Sequence, residues 1–180
     1  RERQKIAMSS RLEVKGESTL PELGFTLTVK ADRIDLDERG GAYLYDYKTG
    51  AIPSKPQQLA FDMQLLLEAA MAERGDFDSL HPRHIEGATY LGVGSGTKSV
   101  EAPLDDKPTA QVWAELYKLI SDYQVSNKGF TARRAMEKSK GFGRYDQLSR
   151  FGEWDETGGF IRLGDSSIKL RINIVRIWRP

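Results

Sequence analysis

The chain predicts an α/β fold: a mixed central sheet flanked by helices. Two observations carry this. Residues 30–50, KADRIDLDERGGAYLYDYKTG, contain two short strand-like segments around a run of turn residues. Beyond them, stretches of helical period at 55–74 and 108–126 bracket an apolar, aromatic run at 85–93. The sheet is therefore expected to contain residues 25–47, with the two helices against it.

Composition sets limits before any motif is weighed. The 180 residues are 39% hydrophobic and 29% charged, ordinary for a globular domain with its own core. No run of 18 apolar residues reads as a membrane span, and no signal-peptide pattern is visible. There is no cysteine. That excludes disulfides, thiolate nucleophiles, zinc fingers and iron–sulfur clusters, and fits a reducing cytosol. His81 and His84 are the only histidines, too little material for His-rich metal sites or Ser-His-Asp chemistry. A metal bound here is expected to be a hard, oxygen-liganded ion such as Mg²⁺ or Mn²⁺. The net charge of +1 hides an asymmetry. Residues 128–180 hold twelve Lys/Arg against six Asp/Glu, while residues 1–127 hold fifteen against twenty. An acidic part joined to a basic part suits a metal site beside a polyanion; a solvated basic surface is the plainer alternative.

The elements follow in order. The opening Arg1-Glu2-Arg3-Gln4-Lys5 has no Met and reads as a piece of something longer. Residues 11–14 and 25–29 look like strands, separated by Pro21 and Gly24. Then comes the hairpin, 30–36 and 42–47, around Asp37-Glu38-Arg39-Gly40-Gly41. Residues 49–56 form a loop in which Ser54 can cap a helix and Pro56 fits its first turn. One helix is expected over 55–74, closed by Gly75. Leu59, Met63, Leu66, Leu67, Ala70 and Met71 form its core stripe, and Gln57, Phe61, Gln64 and Glu68 share another. His81 and His84 read as surface residues, 85–93 as a strand, and the glycines at 92–96 as a turn without the spacing of a phosphate loop. Helix 108–126 is amphipathic, with Val112, Leu116, Leu119, Ile120 and Tyr123 on its apolar side. Residues 168–178 alternate well enough for a strand.

Three polar groups of the hairpin stand out: Asp32, Asp46 and Lys48. Side chains alternate along a strand, so Asp46 and Lys48 share a face and Tyr47 takes the other. Asp32, on the preceding strand, can lie opposite or diagonal to Asp46 and reach the same ion. Two carboxylates and an amine at one end of a sheet suit a divalent cation with a charged catalytic group. The alternative is a solvated edge strand on which Lys48 merely pairs with Asp46. The second carboxylate strand and the Gln-rich helix that follows weigh against it. Gln64 stands inside a mostly apolar run, 61–67, where it is either a buried partner of this site or a plain surface residue. Farther on, Arg133, Arg134, Lys138, Lys140, Arg144 and Arg150 are interleaved with Phe130, Phe142, Tyr145, Phe151 and Trp154. Such a mixture can grip a phosphate backbone and stack on bases, or cover the core as a surface extension.

The order ADRID, YLYDYKTG, a helix with Gln-Leu, and then GFTARRAM and YDQLSRFGEWD resembles the PD-(D/E)xK nucleases of the RecB/AddB family over residues 13–155. The resemblance implies the restriction-endonuclease-like form of the α/β fold, with a nuclease domain at 1–157 and a tail at 158–180 that can add a strand. It implies a Mg²⁺- or Mn²⁺-dependent, exonuclease-type deoxyribonuclease of a cytoplasmic helicase–nuclease acting in double-strand-break repair and recombination. DNA and an AddA-like helicase–nuclease subunit would be its partners. The family's G-x-x-D carboxylate falls on Asp32, with Val29 where many relatives have Gly and Asp35 as second choice; its D-x-K falls on Asp46 and Lys48, and its Gln on Gln64. Asp32, Asp46 and the Tyr47 carbonyl would hold the metal. Lys48 would orient or deprotonate the attacking water or stabilise charge, and Gln64 would position Lys48 or the water. The basic residues of 133–150 would bind DNA. An upstream helix that completes the site in many relatives would lie before Arg1, leaving the site here incomplete. The iron–sulfur cluster of some relatives has no ligands in this chain. The competing expectation is an inactive nuclease-fold module that binds DNA or scaffolds a partner subunit; retention of Asp32, Asp46 and Lys48 speaks against it, as the YDQLSRFGEW run does against a restriction endonuclease.

Overall fold

Alternating burial builds the first part of the sheet. In the strand β2, Phe25–Leu36, the side chains of Phe25, Leu27, Val29 and Ala31 are buried while their neighbours are partly or fully exposed. It pairs antiparallel along its length with β1, Ser9–Leu20, whose partners across this face are Val14, Gly16, Ser18 and Leu20. A computed structural model describes residues 8–94 and 98–127 and the backbone of the short strand Arg171–Asn173. Asp37 shapes the hairpin after β2: its Oδ1 accepts hydrogen bonds from the Arg39 and Gly41 amides, and Gly40 takes the left-handed φ of +85° that a side chain would resist. β3, Ala42–Lys48, then returns antiparallel to β2 and lies parallel to β4, Ile85–Gly92. The short β5, Ser99–Glu101, closes the order β1-β2-β3-β4-β5, and Arg171–Asn173, β6, pairs parallel with Thr26–Thr28 of β2. The mixed α/β sheet expected from the sequence is thus present.

The ladder between β1 and β2 skips one pair, Glu13 with Asp32, and Glu13 has φ +52°, uncommon for a residue with a side chain. Burial changes face at this point, from Ala31 before it to Ile34 after it. The strand therefore turns its apolar side where Asp32 sits.

Helices supply the core's other wall. Instead of one helix over 55–74, the chain forms α1, Lys55–Ala60, and α2, Gln64–Arg74. No Gly or Pro marks the break at 61–63. Tertiary contacts sustain it: the Leu59 carbonyl, which a continuous helix would bond to Met63, accepts from the Lys107 ammonium at 3.2 Å. The core stripe moves accordingly. Leu65, Leu66, Ala69, Ala70, Met71 and Ala72 are buried, while Leu59, Met63 and Leu67 are only half-buried. Gly75 ends α2 at φ +79°, as expected, donating to the Ala72 and Met71 carbonyls. α2 packs across β3 and β4.

α3 spans Thr109–Gln124, and of its expected apolar side only Val112 is buried; Leu119 is 42% exposed. The chain divides into one unit of 1–117 with 169–180 and a second of 118–168. Within the first, Val112 is fully buried and the Trp113 ring lies 4.3 Å from the Arg74 guanidinium carbon. His81 and His84 are exposed. Among the described residues no helix is long and apolar enough to cross a membrane.

Candidate active site

The inward face of β3 carries Ala42, Leu44, Asp46 and Lys48. The first two are fully buried, Asp46 is 4% exposed, and the Lys48 side chain reaches the edge at 29%. The β2–β3 ladder pairs Arg33 with Tyr45 and Ile34 with Leu44. One further step in this register sets Asp32 opposite Asp46 on the same face. Asp32 Oδ2 accepts the Tyr47 backbone N–H at 2.9 Å, which holds its carboxylate against β3. On the other side, β4 sets Tyr90 beside Asp46 and Gly92 beside Lys48. The Tyr90 ring lies 5.2 Å from Lys48 Nζ, near enough for a cation–π contact.

The helix break decides where Gln64 goes. As the first residue of α2, anchored by the Leu65 N–H to Tyr90 Oη contact at 3.4 Å, it stands over the end of β3. Its amide has three partners. Nε2 donates to Asp46 Oδ1 at 2.8 Å and to Glu68 Oε1 at 3.0 Å, while Oε1 accepts from Lys48 Nζ at 3.0 Å. This is the full donor capacity of the group. Lys48 Nζ also lies 2.8 Å from Asp46 Oδ2, an ion pair. Asp46 Oδ2 is therefore buried with the Lys48 ammonium as its countercharge.

Burial dominates the electrostatics. It raises the Asp46 carboxyl above its ordinary value, against the lowering effect of Lys48 and Gln64, and Asp32 raises it further. Glu68, 1% exposed, is pushed up to about 8, first by burial and then by Asp46 and Asp32, with Gln64 opposing. Burial raises the Tyr90 phenol as well.

The structure thus brings Asp46, Lys48 and Gln64 into direct contact, with Asp32 on the adjoining strand. Tyr47 turns its side chain to the opposite face, 40% exposed, with its hydroxyl 3.5 Å from Arg33. Asp35, the second choice for a metal carboxylate, does not belong to the site. It is buried on that opposite face, where Arg33 grips it through Nε at 2.7 Å and Nη2 at 2.6 Å. An odd number of steps from Asp32 along one strand places it there. Arg133, Arg134, Lys138, Lys140, Arg144 and Arg150 lie outside the described residues. Sequence reasoning missed the part played by Glu68 and Tyr90. Glu68 was visible as a lone acid four positions after Gln64 in the apolar run LLLEAAMA; Tyr90 carried no signal beyond strand alternation.

A hard divalent ion fits the donors present. Asp46 supplies a buried carboxylate whose Oδ2 is paired with Lys48, and Asp32 supplies a second carboxylate on the same face. No group of three or more His, Cys, Asp or Glu is arranged for a metal among the described residues. One or two carboxylates completed by water and substrate phosphate is a common Mg²⁺ arrangement.

The family model described as the PD-(D/E)XK nuclease superfamily matches residues 2–141. An uncharacterized protein of Rickettsia bellii (strain RML369-C) is 34% identical over 83 residues, covering 44% of this chain and 10% of that protein. An uncharacterized protein of Rickettsia felis (strain ATCC VR-1525 / URRWXCal2) is 32% identical over 94 residues, covering 51% and 11%. The chain spans about a tenth of the length of these curated relatives.

Proposed function

The chain belongs to the PD-(D/E)XK nuclease superfamily, and from that premise we propose that it hydrolyses DNA phosphodiester bonds with Mg²⁺ or Mn²⁺ held by Asp32, Asp46 and the Tyr47 carbonyl. One observation carries the reading: the buried Asp46 carboxylate is paired with Lys48 and lies across from Asp32. When bound, a divalent ion supplies the positive charge that polarises the scissile phosphate.

The chain's own residues do the rest. Water adds at phosphorus and gives up a proton to solvent, the bond from phosphorus to the leaving sugar oxygen breaks, and that oxygen takes up a proton from solvent; negative charge gathers on the phosphoryl oxygens on the way. Both polar partners of Lys48, Gln64 Oε1 and Asp46 Oδ2, are acceptors, so its ammonium sits in the site as a donor. It has three protons and keeps one for a phosphate oxygen or the attacking water. Its role is therefore to orient the water and stabilise developing charge. Gln64 holds Lys48 and Asp46 in register. Asp32 is held by the Tyr47 amide.

The reading extends to an exonuclease-type module of an AddB-like helicase–nuclease in the cytoplasm, acting in double-strand-break repair and recombination beside an AddA-like subunit. Its support is the order of ADRID, YLYDYKTG and GFTARRAM…YDQLSRFGEWD. The basic residues of 133–150 would hold the DNA backbone in this scheme. The test is digestion of linear single-stranded, linear double-stranded and closed circular DNA by the intact protein, with Mg²⁺ or Mn²⁺ and with EDTA. Metal-dependent loss of the linear substrates alone is expected. Cutting of the closed circle would replace the exonuclease assignment with an endonuclease one. DNA binding without cleavage of any substrate would favour the scaffold alternative.

A further inference from the structure

The proposed chemistry leaves one buried acid without a task. Glu68 is 1% exposed, on the face of α2 that covers the sheet, and its Oε1 accepts from Gln64 Nε2 at 3.0 Å. A carboxyl in such a place is costly to keep; an apolar side chain of equal volume would serve packing as well or better. Its geometry supplies a reason for its presence. The Gln64 amide faces Asp46 Oδ1 and Glu68 Oε1 with its nitrogen and Lys48 Nζ with its oxygen. Reversed, the amide would aim its oxygen at the Asp46 carboxylate and its NH₂ at an ammonium. Glu68 and Asp46 together occupy both Nε2 protons. Without Glu68, one proton loses its partner and the amide is free to swing about its last torsion, which is broad and soft.

We propose that Glu68 is a positioning residue that locks the orientation of the Gln64 amide and, through it, the places of the Lys48 ammonium and the Asp46 carboxylate. This rests on the nuclease reading of the same site. Groups one contact behind the reacting ones typically change activity by about 10- to 100-fold when removed.

The experiment compares Glu68→Met, which keeps the volume and loses the acceptor, with Glu68→Gln, which keeps both. Glu68→Met should lose about 10-fold or more in kcat on DNA with little change in KM. Glu68→Gln should restore cleavage to within about threefold of wild type. In a Gln64→Ala background, adding Glu68→Met should cost nothing further, because the residue acts only through that amide. A merely structural role would add its cost in both backgrounds. Independently of cleavage, the Gln64 side-chain NH₂ protons of the metal-free wild-type protein should exchange slowly in ¹⁵N-resolved NMR, and one should become fast in Glu68→Met. Should Glu68→Met fail to fold, the wild-type spectrum still decides. Fast, solvent-like Gln64 amide protons in wild type, or wild-type kcat in folded Glu68→Met, would overturn the proposal. If the wild-type protein cleaves no DNA while its Gln64 amide is locked, the nuclease reading fails and the positioning role stands.

Discussion

Replacing Glu68 by Gln should flatten the protein's stability profile between pH 5 and pH 7.5. The ordinary value for a Glu carboxyl is 4.5; burial, with Asp46 and Asp32, pushes Glu68 up to about 8 in the fold. Between these values the folded chain keeps a proton that the unfolded chain has released. The folded state then binds more protons than the unfolded one, so stability falls as pH rises through this window and levels off above about 8. One such group changes stability by roughly 1.4 kcal/mol per pH unit, hence by about 3 kcal/mol between pH 5 and pH 7.5. Glutamine at this position has no proton to release. Urea unfolding of both proteins at the two pH values, in EDTA to keep divalent ions from the carboxylates, measures the difference directly. The Glu68→Gln variant should gain about 3 kcal/mol on wild type from pH 5 to pH 7.5. The raised Asp46 carboxyl contributes a slope of the same sign to both proteins and cancels in the comparison. Parallel profiles for the two proteins would refute the burial argument for Glu68.

Three other outcomes are expected. Lys48→Ala should lower the cleavage rate about 100-fold or more while DNA affinity, measured by fluorescence anisotropy, stays near wild type, because affinity comes from contacts spread along the backbone. Leu66→Ala should cost about 2–5 kcal/mol in urea unfolding, since Leu66 is 1% exposed between α2 and the sheet and truncation leaves a cavity there. Removing Arg133 and Arg134 together should flatten the slope of log affinity against log salt by about 1.5 and weaken binding alike for all DNA sequences; an unchanged slope with loss of complex assembly would move these residues to a subunit contact.

The hairpin was legible because strand periodicity alone puts Asp46 and Lys48 on one face, and the tight turn 37–41 brings Asp32 back beside them. The length of β1 was not: SSRLEVKGESTL is too polar to announce a strand, and it pairs because β2 offers a complete antiparallel edge. The break between α1 and α2 was hidden for a related reason. Nothing in Phe61-Asp62-Met63 forbids helix, and the Lys107 contact that takes the freed Leu59 carbonyl comes from far along the chain. Local propensity cannot see such a contact. Gln64 could be placed near Lys48 by supposing that the helix packs beside the hairpin, but its first-turn position depends on that break. Glu68 was obscure because an acid on a helix usually faces water; only the closeness of α2 to β3 and β4 shows that this one cannot.

The central claim is that Asp46 serves metal-dependent phosphodiester hydrolysis, and its most direct measurement is the cleavage rate of linear DNA by wild type and by Asp46→Asn in Mg²⁺. Asparagine keeps the side-chain volume and can still accept from Gln64 Nε2, so the fold and the amide contact survive while the charge is lost. Wild type should cleave with Mg²⁺ and stop in EDTA, and Asp46→Asn should fall by about 100-fold or more in Mg²⁺. Cleavage by folded Asp46→Asn at the wild-type rate would contradict the account.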